Sequence, residues 1–432
     1  MTVAPTGSGK GATSIIPNLL QYKGSVIVID PKGENAEQTV EHRQNAFGHD
    51  IYVIDPFGIT DFQDIIGRPP ATFNPLDYID GHGDDGPTQA DRLADALIIT
   101  EQGSNRYFSD EARSLLKAVI LHVGTAEDYE GTRHLHTVNV VLSHPLSLLE
   151  TMQENDAADG LIKRIAARML AKAEKELSAV VSTAQSNLAQ FMDDPRLQRS
   201  LSHSDFDFAQ CKREKVSIYI VLPPQYLETF SRWLRLLIGS ALSRLTEIPG
   251  IPELPILFIL DEFAHLGHLE AVQTAYGLGR GAGIKLWVIL QNLSQLDKHY
   301  GEHGKETFVA NSGAIELFNM NDNAGLKYFS EKIGEHYIDV RTVNRASTMN
   351  AGETTGLSKT QQSDNFSTNT GISSSESENI QQEKRFMMLP SEIAALPPDQ
   401  KLYLRQGEPH RILEKVYYYL HPVMRKQAGL KD

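Results

Sequence analysis

Apolar positions along this chain fall into two patterns. Short unbroken runs rich in Val and Ile recur at Gly24–Asp30, Ile51–Asp55, Val216–Leu222, Ile256–Leu260, Ile284–Leu290 and Ser312–Phe318. Runs of that kind read as strands covered on both faces. Between several of them the apolar residues shift to a spacing of three and four, as in Ile15, Ile16, Leu19 and Leu20, or across Phe230–Thr246. Strands alternating with helices predict an α/β fold, a mostly parallel sheet with helices on both faces.

From 74 to 205 the strand-like runs stop. Helical spacing takes over across 88–99, 108–123 and 158–193, with Leu161, Ile165, Met169 and Leu170 as an example, after a loop at Gly81–Gly86. An all-α insertion into the α/β domain is therefore expected, dividing the chain into 1–73, 74–205 and 206–432. A cap that contacts substrate and a lid that only packs stand even for it. Residues 345–383 are rich in Ser, Thr, Asn and Gln and poor in large apolar side chains, so a mobile loop or plain linker is expected. Leu402–Leu404 and Ile412–Tyr419 read as two further strands before a basic and polar tail.

Composition narrows the picture a little. The 432 residues are 41% hydrophobic and 22% charged, an ordinary globular balance. A net charge of −14 excludes a basic footprint over the whole surface but not a local basic channel. The single cysteine, Cys211, excludes an internal disulfide framework. No apolar run approaches the roughly eighteen residues a membrane helix needs, and no signal peptide is read at the start.

The chemistry lies at the ends of the strands. Ala4-Pro5-Thr6-Gly7-Ser8-Gly9-Lys10-Gly11 has the form of a phosphate-binding loop. Its glycines let successive N–H groups turn inward to an anion, and Lys10 faces the outer phosphates. The helix after it points its positive end at the same place. Two positions depart from the general pattern: Ala4 replaces the first glycine, and Gly11 replaces the hydroxyl residue that ordinarily holds Mg²⁺. Only Met1, Thr2 and Val3 precede the loop, where a core strand ordinarily stands. The chain is thus expected to start inside its own fold, as a fragment, a truncated frame or a mis-set start.

Five apolar residues, Ile256–Leu260, run directly into Asp261 and Glu262. A buried strand delivering two acids to a phosphate loop suits nucleotide hydrolysis, with Asp261 in the Mg²⁺ shell and Glu262 polarising the attacking water. Gln291 ends the next strand, where an amide can orient that water or sense the outer phosphate. Arg280, between Gly279 and Gly281, is a candidate arginine finger. His134/His136 and His265/His268 lack zinc-site spacing.

Several of these segments together resemble the type IV secretion coupling proteins, the TraG/TraD-like conjugative ATPases. They are Ala4–Gly11, Val28–Glu34, Leu260–Phe263, Arg280–Ile284, Leu290–Leu296, Leu389–Ile393 and Gln406–Pro409, and they span nearly the whole chain. The resemblance implies a RecA-like P-loop domain with an inserted all-α domain, binding ATP and Mg²⁺ between subunits of a hexameric ring. It implies a place at the inner face of the bacterial cytoplasmic membrane. There such proteins recruit a relaxase-bound DNA single strand or effector proteins and pass them to the secretion channel. It makes Thr6, Gly7, Ser8, Gly9, Lys10, Gly11 and Ala12 nucleotide-binding residues. Glu262, Lys10, Gln291 and a neighbour-directed Arg280 become catalytic, and Asp261, with Thr13 or a water, the Mg²⁺ ligands. The family's N-terminal membrane region and first core strand are not found before the loop. Two other readings are a nucleotide-binding substrate receptor with little hydrolysis and an inactive remnant.

Overall fold

The computed structural model describes residues 1–99, 106–352 and 369–431. Its contacts separate two compact units, Met1–Asp322 with Leu396–Asp432, and Asn323–Ala395. The three-part division expected from the sequence pattern draws its lines elsewhere.

The first unit is built on a nine-stranded sheet. In chain order the strands are β1 (Thr2–Val3), β2 (Val26–Asp30), β3 (Asp50–Ile54), β4 (Val216–Val221), β5 (Ile256–Leu260), β6 (Ile284–Leu290) and β7 (Ala314–Leu317). Two more, β10 (Gln400–Arg405) and β11 (Arg411–Glu414), come after the second unit. The spatial order is β11-β10-β7-β1-β6-β5-β2-β4-β3. Strands β1 to β7 run parallel, and β10 and β11 complete the edge in antiparallel fashion. All five residues of β2 and all six of β4 are buried, as continuous Val/Ile runs require when both faces are covered.

The expected absence of a first core strand is corrected. Thr2 and Val3 pair with β6 on one side and β7 on the other, so two residues hold an interior place in the sheet. The expected strand 412–419 is also corrected: pairing ends at Glu414, and residues from Lys415 turn back over the start of the chain.

Two helices flank the edge of the sheet where the candidate site lies. Helix α1 (Ile16–Gln21) is entered through a π-type turn at Gly11–Ile15. Helix α2 (Glu34–Phe47) carries Glu34 and Glu37 in its first turn and ends at Gly48 in the left-handed conformation. From Pro75 to Arg213 every element among the described residues is helical, including Gly86–Leu97, Arg106–Thr125, Leu161–Leu170 and Glu174–Met192. The helical spacing read across 158–193 is interrupted at Ala171–Ala173.

The second unit contains β8 (Glu335–Gly352) and β9 (Asn369–Phe386), paired antiparallel along their whole length. A mobile loop was expected over 345–383. Instead the described parts of that stretch form a ribbon, and 353–368 lies outside the described residues. Ladder hydrogen bonds come from the backbone, so a polar side-chain pattern does not preclude them.

Candidate nucleotide-binding site

Because β1, β2, β5 and β6 are parallel, their carboxyl ends share one edge of the sheet. Val3 pairs with Leu290, and Leu260 pairs with Ile29 and Val288. The loop after β1, the acids after β5 and the amide after β6 therefore meet, although Lys10 and Glu262 are 252 residues apart in sequence. Strand β6 lies between β1 and β5, which puts Gln291 between the loop and the acids.

Within the loop, Gly7 and Gly9 have φ of 77° and 86°, a conformation that a side chain strongly disfavours. The Ala4 N–H donates to the Leu290 carbonyl at 2.7 Å, fixing the loop's root to β6. The Ser8 N–H donates to the Pro5 carbonyl at 3.2 Å and closes the turn. The Ser8 hydroxyl is buried without a hydrogen-bond partner among the described residues. Thr6 and Gly7 are exposed, and Ser8 through Ala12 are half-buried.

Lys10 Nζ lies 2.7 Å from Asp261 Oδ1 and 2.7 Å from Glu262 Oε1. Gln291 Nε2 donates to the other oxygen of Glu262, Oε2, at 3.0 Å. Four of the residues read from the sequence thus form one cluster. Burial opposes the charge on Lys10, but the two carboxylates outweigh it and hold its pKa above the ordinary lysine value. Burial raises the pKa of Asp261, with Lys10 only partly offsetting it. In the less enclosed Glu262, burial is outweighed by Lys10 and Gln291, and the pKa falls below the usual carboxylate value. The site thus favours the charged form of Glu262 more than that of Asp261.

Glu262 also has φ of 53°, in the left-handed region. Its side chain, not glycine-like freedom, is what the site uses at that position. Strain of this kind persists where surrounding structure overdetermines it, and it gathers at functional sites.

Thr13 is buried, and its hydroxyl donates to the Gly9 carbonyl at 2.8 Å, within the turn that opens α1. Arg280 is exposed and comes before the first residue of β6, so it lies at the opposite edge of the sheet from Gln291. Seven strand residues separate the two edges, roughly 20 Å at the usual rise per residue. The structure brings together Lys10, Asp261, Glu262 and Gln291, and it does not bring Arg280 to them within one chain.

Three further residues beside the cluster or the loop were given no role in the sequence reading, although Asp30 lay in a segment it singled out. Asp30, at the end of β2, is buried and accepts from the Ala36 N–H at 2.8 Å and from Asn35 Nδ2 at 3.2 Å. Burial pushes its pKa up to about 7, with Asp261 adding to the rise. Its place at a strand's carboxyl end was the available signal. Asn319, just past β7, has φ of 37° and accepts from Lys415 Nζ at 2.6 Å. Lys415 also donates to the Ser8 carbonyl at 3.0 Å. Nothing in the local sequence marks that lysine. Among the described residues, no three His, Cys, Asp or Glu side chains gather into a metal-holding group. No helix among them is long and apolar enough to cross a membrane.

The site and fold can be set beside known proteins. A profile of the family described as type IV secretory system conjugative DNA transfer matches residues 1–431. Protein VirD4 of Rhizobium radiobacter is 30% identical over 97% of this chain and 56% of its own length. The conjugal transfer protein TraG of Escherichia coli is 29% identical over 73% of this chain and 51% of its own length. The chain thus spans little more than half the length of such relatives. Among solved structures, plasmid coupling protein TrwB in complex with ADP and Mg²⁺ superposes with a TM-score of 0.67 at 16% identity, covering 100% of this chain and 88% of that one. TrwB with the ATP analogue ADPNP gives 0.67 at 15%, covering 96% and 84%. At such identities the likeness establishes the fold: a RecA-like sheet with helices on both sides. With a profile match over almost every residue, the chain belongs to the type IV secretory system conjugative DNA transfer family.

Proposed function

We propose that this chain is the ATP-hydrolysing motor part of a coupling protein. In this reading it passes a relaxase-bound DNA single strand, or effector proteins, to a type IV secretion channel at the cytoplasmic face of the inner membrane. The observation that carries the reading is the convergence of Lys10 on Asp261 and Glu262, each at 2.7 Å, beside a loop of phosphate-binding form.

The residues fit ATP and Mg²⁺. The Ser8 hydroxyl is buried and unpartnered among the described residues, and a Cβ placed on Gly7 or Gly11 would meet no atom within 4 Å, so there is open space beside the loop at both positions. The backbone from Thr6 through Ala12 would cradle the phosphates. Mg²⁺ is ordinarily held by one or two carboxylates plus phosphate oxygens and water, and here Asp261 is the carboxylate. Thr13 can join that shell through its oxygen lone pairs while its proton stays on the Gly9 carbonyl. Bound Mg²⁺–ATP would supply the phosphoanhydride bond whose cleavage yields free energy.

The chain's own residues divide the remaining work. Lys10 exchanges its carboxylate partners for phosphate oxygens when a nucleotide enters. Glu262, then freed from Lys10 and still oriented by Gln291, accepts a proton from the attacking water. Arg280, remote from its own loop, serves a neighbouring copy in a ring of six. The helical stretch 74–205 is the inserted domain against which cargo docks.

The test is phosphate release by the full chain, with and without single-stranded DNA, for the wild type and Lys10→Ala. Hydrolysis that rises with DNA and falls at least 100-fold in the variant supports the motor, given the contribution of such charge-stabilising groups. Undiminished hydrolysis in Lys10→Ala removes the site. Nucleotide binding with no hydrolysis, with or without DNA, favours the receptor reading instead.

A further inference from the structure

After β11 the chain leaves the sheet and returns across the phosphate loop. Lys415 is buried and uses its three protons on three oxygens: the Ser8 carbonyl at 3.0 Å, Asn319 Oδ1 at 2.6 Å and the Pro398 carbonyl at 2.7 Å. Burial lowers its pKa, and neighbouring Lys401 lowers it further, so its hold on these acceptors is a matter of position as much as of charge. One of the three acceptors belongs to the loop itself. Lys415 therefore holds the Ser8 peptide with its carbonyl turned to the C-terminal segment.

Two residues later the ring of Tyr417 comes beside the loop. Its Cε1 and hydroxyl lie 3.8 and 3.9 Å from where a Cβ on Gly9 would stand, whereas Gly7 and Gly11 have no neighbour at that distance. The Tyr418 N–H donates to the Ala12 carbonyl at 3.1 Å. Farther on, Gln21 Nε2 at the end of α1 donates to Gln427 Oε1 at 2.8 Å. The segment is thus pinned along the loop and its helix from Ser8 to Gln21. The Tyr418 phenol has its pKa raised by burial and by Glu34 and Glu37, which places it toward α2. Tyr417 is left as the ring that borders the loop, half-buried, with the Tyr419 ring 5.4 Å away behind it.

A nucleotide with its phosphates in the loop would carry its nucleoside beyond the loop's rim, and Tyr417 and Tyr418 border that rim at Gly9 and Ala12. We propose that Tyr417 is the wall of the nucleoside subsite, its ring stacking on the base, with Lys415 as the residue that positions the segment and the loop together. The proposal rests on reading residues 4–11 as the phosphate loop. Every base offers a π-face, so a wall of this kind favours a nucleotide over bare polyphosphate while discriminating weakly among bases.

The experiment is calorimetric titration of the full chain, in Mg²⁺, with two probes: ATP and inorganic tripolyphosphate. Tyr417→Ala is expected to lose about tenfold in ATP affinity, the low end of base–aromatic stacking, and to leave tripolyphosphate affinity unchanged. Tyr417→Trp keeps ATP affinity. If the alanine variant does not fold, Tyr417→Leu keeps bulk without a π-face and is read the same way. ATP affinity unchanged in Tyr417→Ala overturns the proposal while leaving the loop intact. Equal loss of both probes also overturns it, because the ring would then only buttress the loop. Lys10→Ala separates the two levels: if it binds tripolyphosphate as the wild type does, the loop reading itself fails, and the subsite with it.

Discussion

Two cations sit deep in the first unit, and their surroundings differ in kind. Lys10 retains a side-chain exposure of 15% and is held by two carboxylates with exposures of 12% and 19%. Arg43, on α2, is 0% exposed. Its Nη1 donates to the carbonyls of Leu19 and Tyr22 at 2.7 Å each, its Nη2 to the Gly24 carbonyl at 2.8 Å, and its Nε to Ser217 Oγ at 2.7 Å. One cation faces two carboxylates that stay partly open to water. The other is bound to neutral dipoles that belong to the fold, at the turn joining α1 to β2. A buried charge surrounded by fixed backbone carbonyls is architecture, whereas a charge shared between two acids at a strand edge is poised for exchange.

The contrast can be broken first at the exchanging site. Glu262→Gln keeps the shape and the Gln291 contact but removes the proton acceptor. Turnover should fall by about 10²–10⁴-fold, the usual range for a positioned general base, while ATP affinity and Tm stay close to wild type. If kcat is unchanged, Glu262 does not act on water, and the cluster is only an ion pair. A large loss of Tm would instead make it as architectural as Arg43.

The opposite outcome is expected at the fixed site. Arg43→Ala removes the donor from the Leu19, Tyr22 and Gly24 carbonyls and leaves the Ser217 hydroxyl with His49 alone; each buried carbonyl costs on the order of 1–3 kcal/mol when left unpaired. Partial relaxation and water entry should bring the total to about 4 kcal/mol of unfolding free energy, read by denaturant titration. A loss below about 1 kcal/mol would show that the turn from Leu19 to Gly24 holds itself and that the arginine is incidental.

The difference also explains what could be read from the sequence. The acids at Asp261 and Glu262 were legible as a pair at the sheet's edge because they follow their strand without a break, so the local pattern states both the burial of the strand and the place of the acids. Gln291 was legible for the same reason. Arg43 was not. It sits in Glu41-His42-Arg43-Gln44, a polar stretch that reads as a solvated helix face, and its partners are carbonyls brought to it by the fold of a different segment. Lys415 was hidden in the same way, inside a run read as strand. The β8–β9 ribbon was missed because strand reading relies on apolar side chains, while a two-stranded ribbon is held by its backbone ladder. The β1 stub was missed because two residues carry no pattern, and only their pairing with β6 and β7 makes them a strand.

A gentler probe of the fixed site is pH. His49 is buried beside Arg43, with Nδ1 2.9 Å from Ser217 Oγ and Nε2 3.1 Å from the Lys23 carbonyl. Burial, aided by the Arg43 charge, lowers its pKa from 6.5 to about 4. The folded state therefore keeps His49 neutral in a range where the unfolded chain binds a proton. Stability from this group is complete above 6.5 and is lost as pH falls toward 4, at no more than about 1.4 kcal/mol per pH unit. The Tm of His49→Gln should fall less steeply than the wild type's over that window. Parallel curves would mean that the ring is already protonated in the fold.

The smallest expected effect sharpens the exchanging side. Gly11 sits after Lys10 where a hydroxyl residue would reach Mg²⁺, and its φ is not in the left-handed region. A Cβ there would meet nothing within 4 Å. Gly11→Ser should therefore be accepted without strain and should add about 0.5 kcal/mol through helix propensity. Its hydroxyl would join Asp261 around the metal, so half-saturation of hydrolysis by Mg²⁺ should occur at about threefold lower concentration. The two readouts are independent. Stability that rises while the Mg²⁺ curve stays put would mean that the metal sits away from residue 11 and that Asp261, not the loop, sets its place. Stability that falls would mean that the loop needs glycine at this position for room to move when Lys10 changes partners.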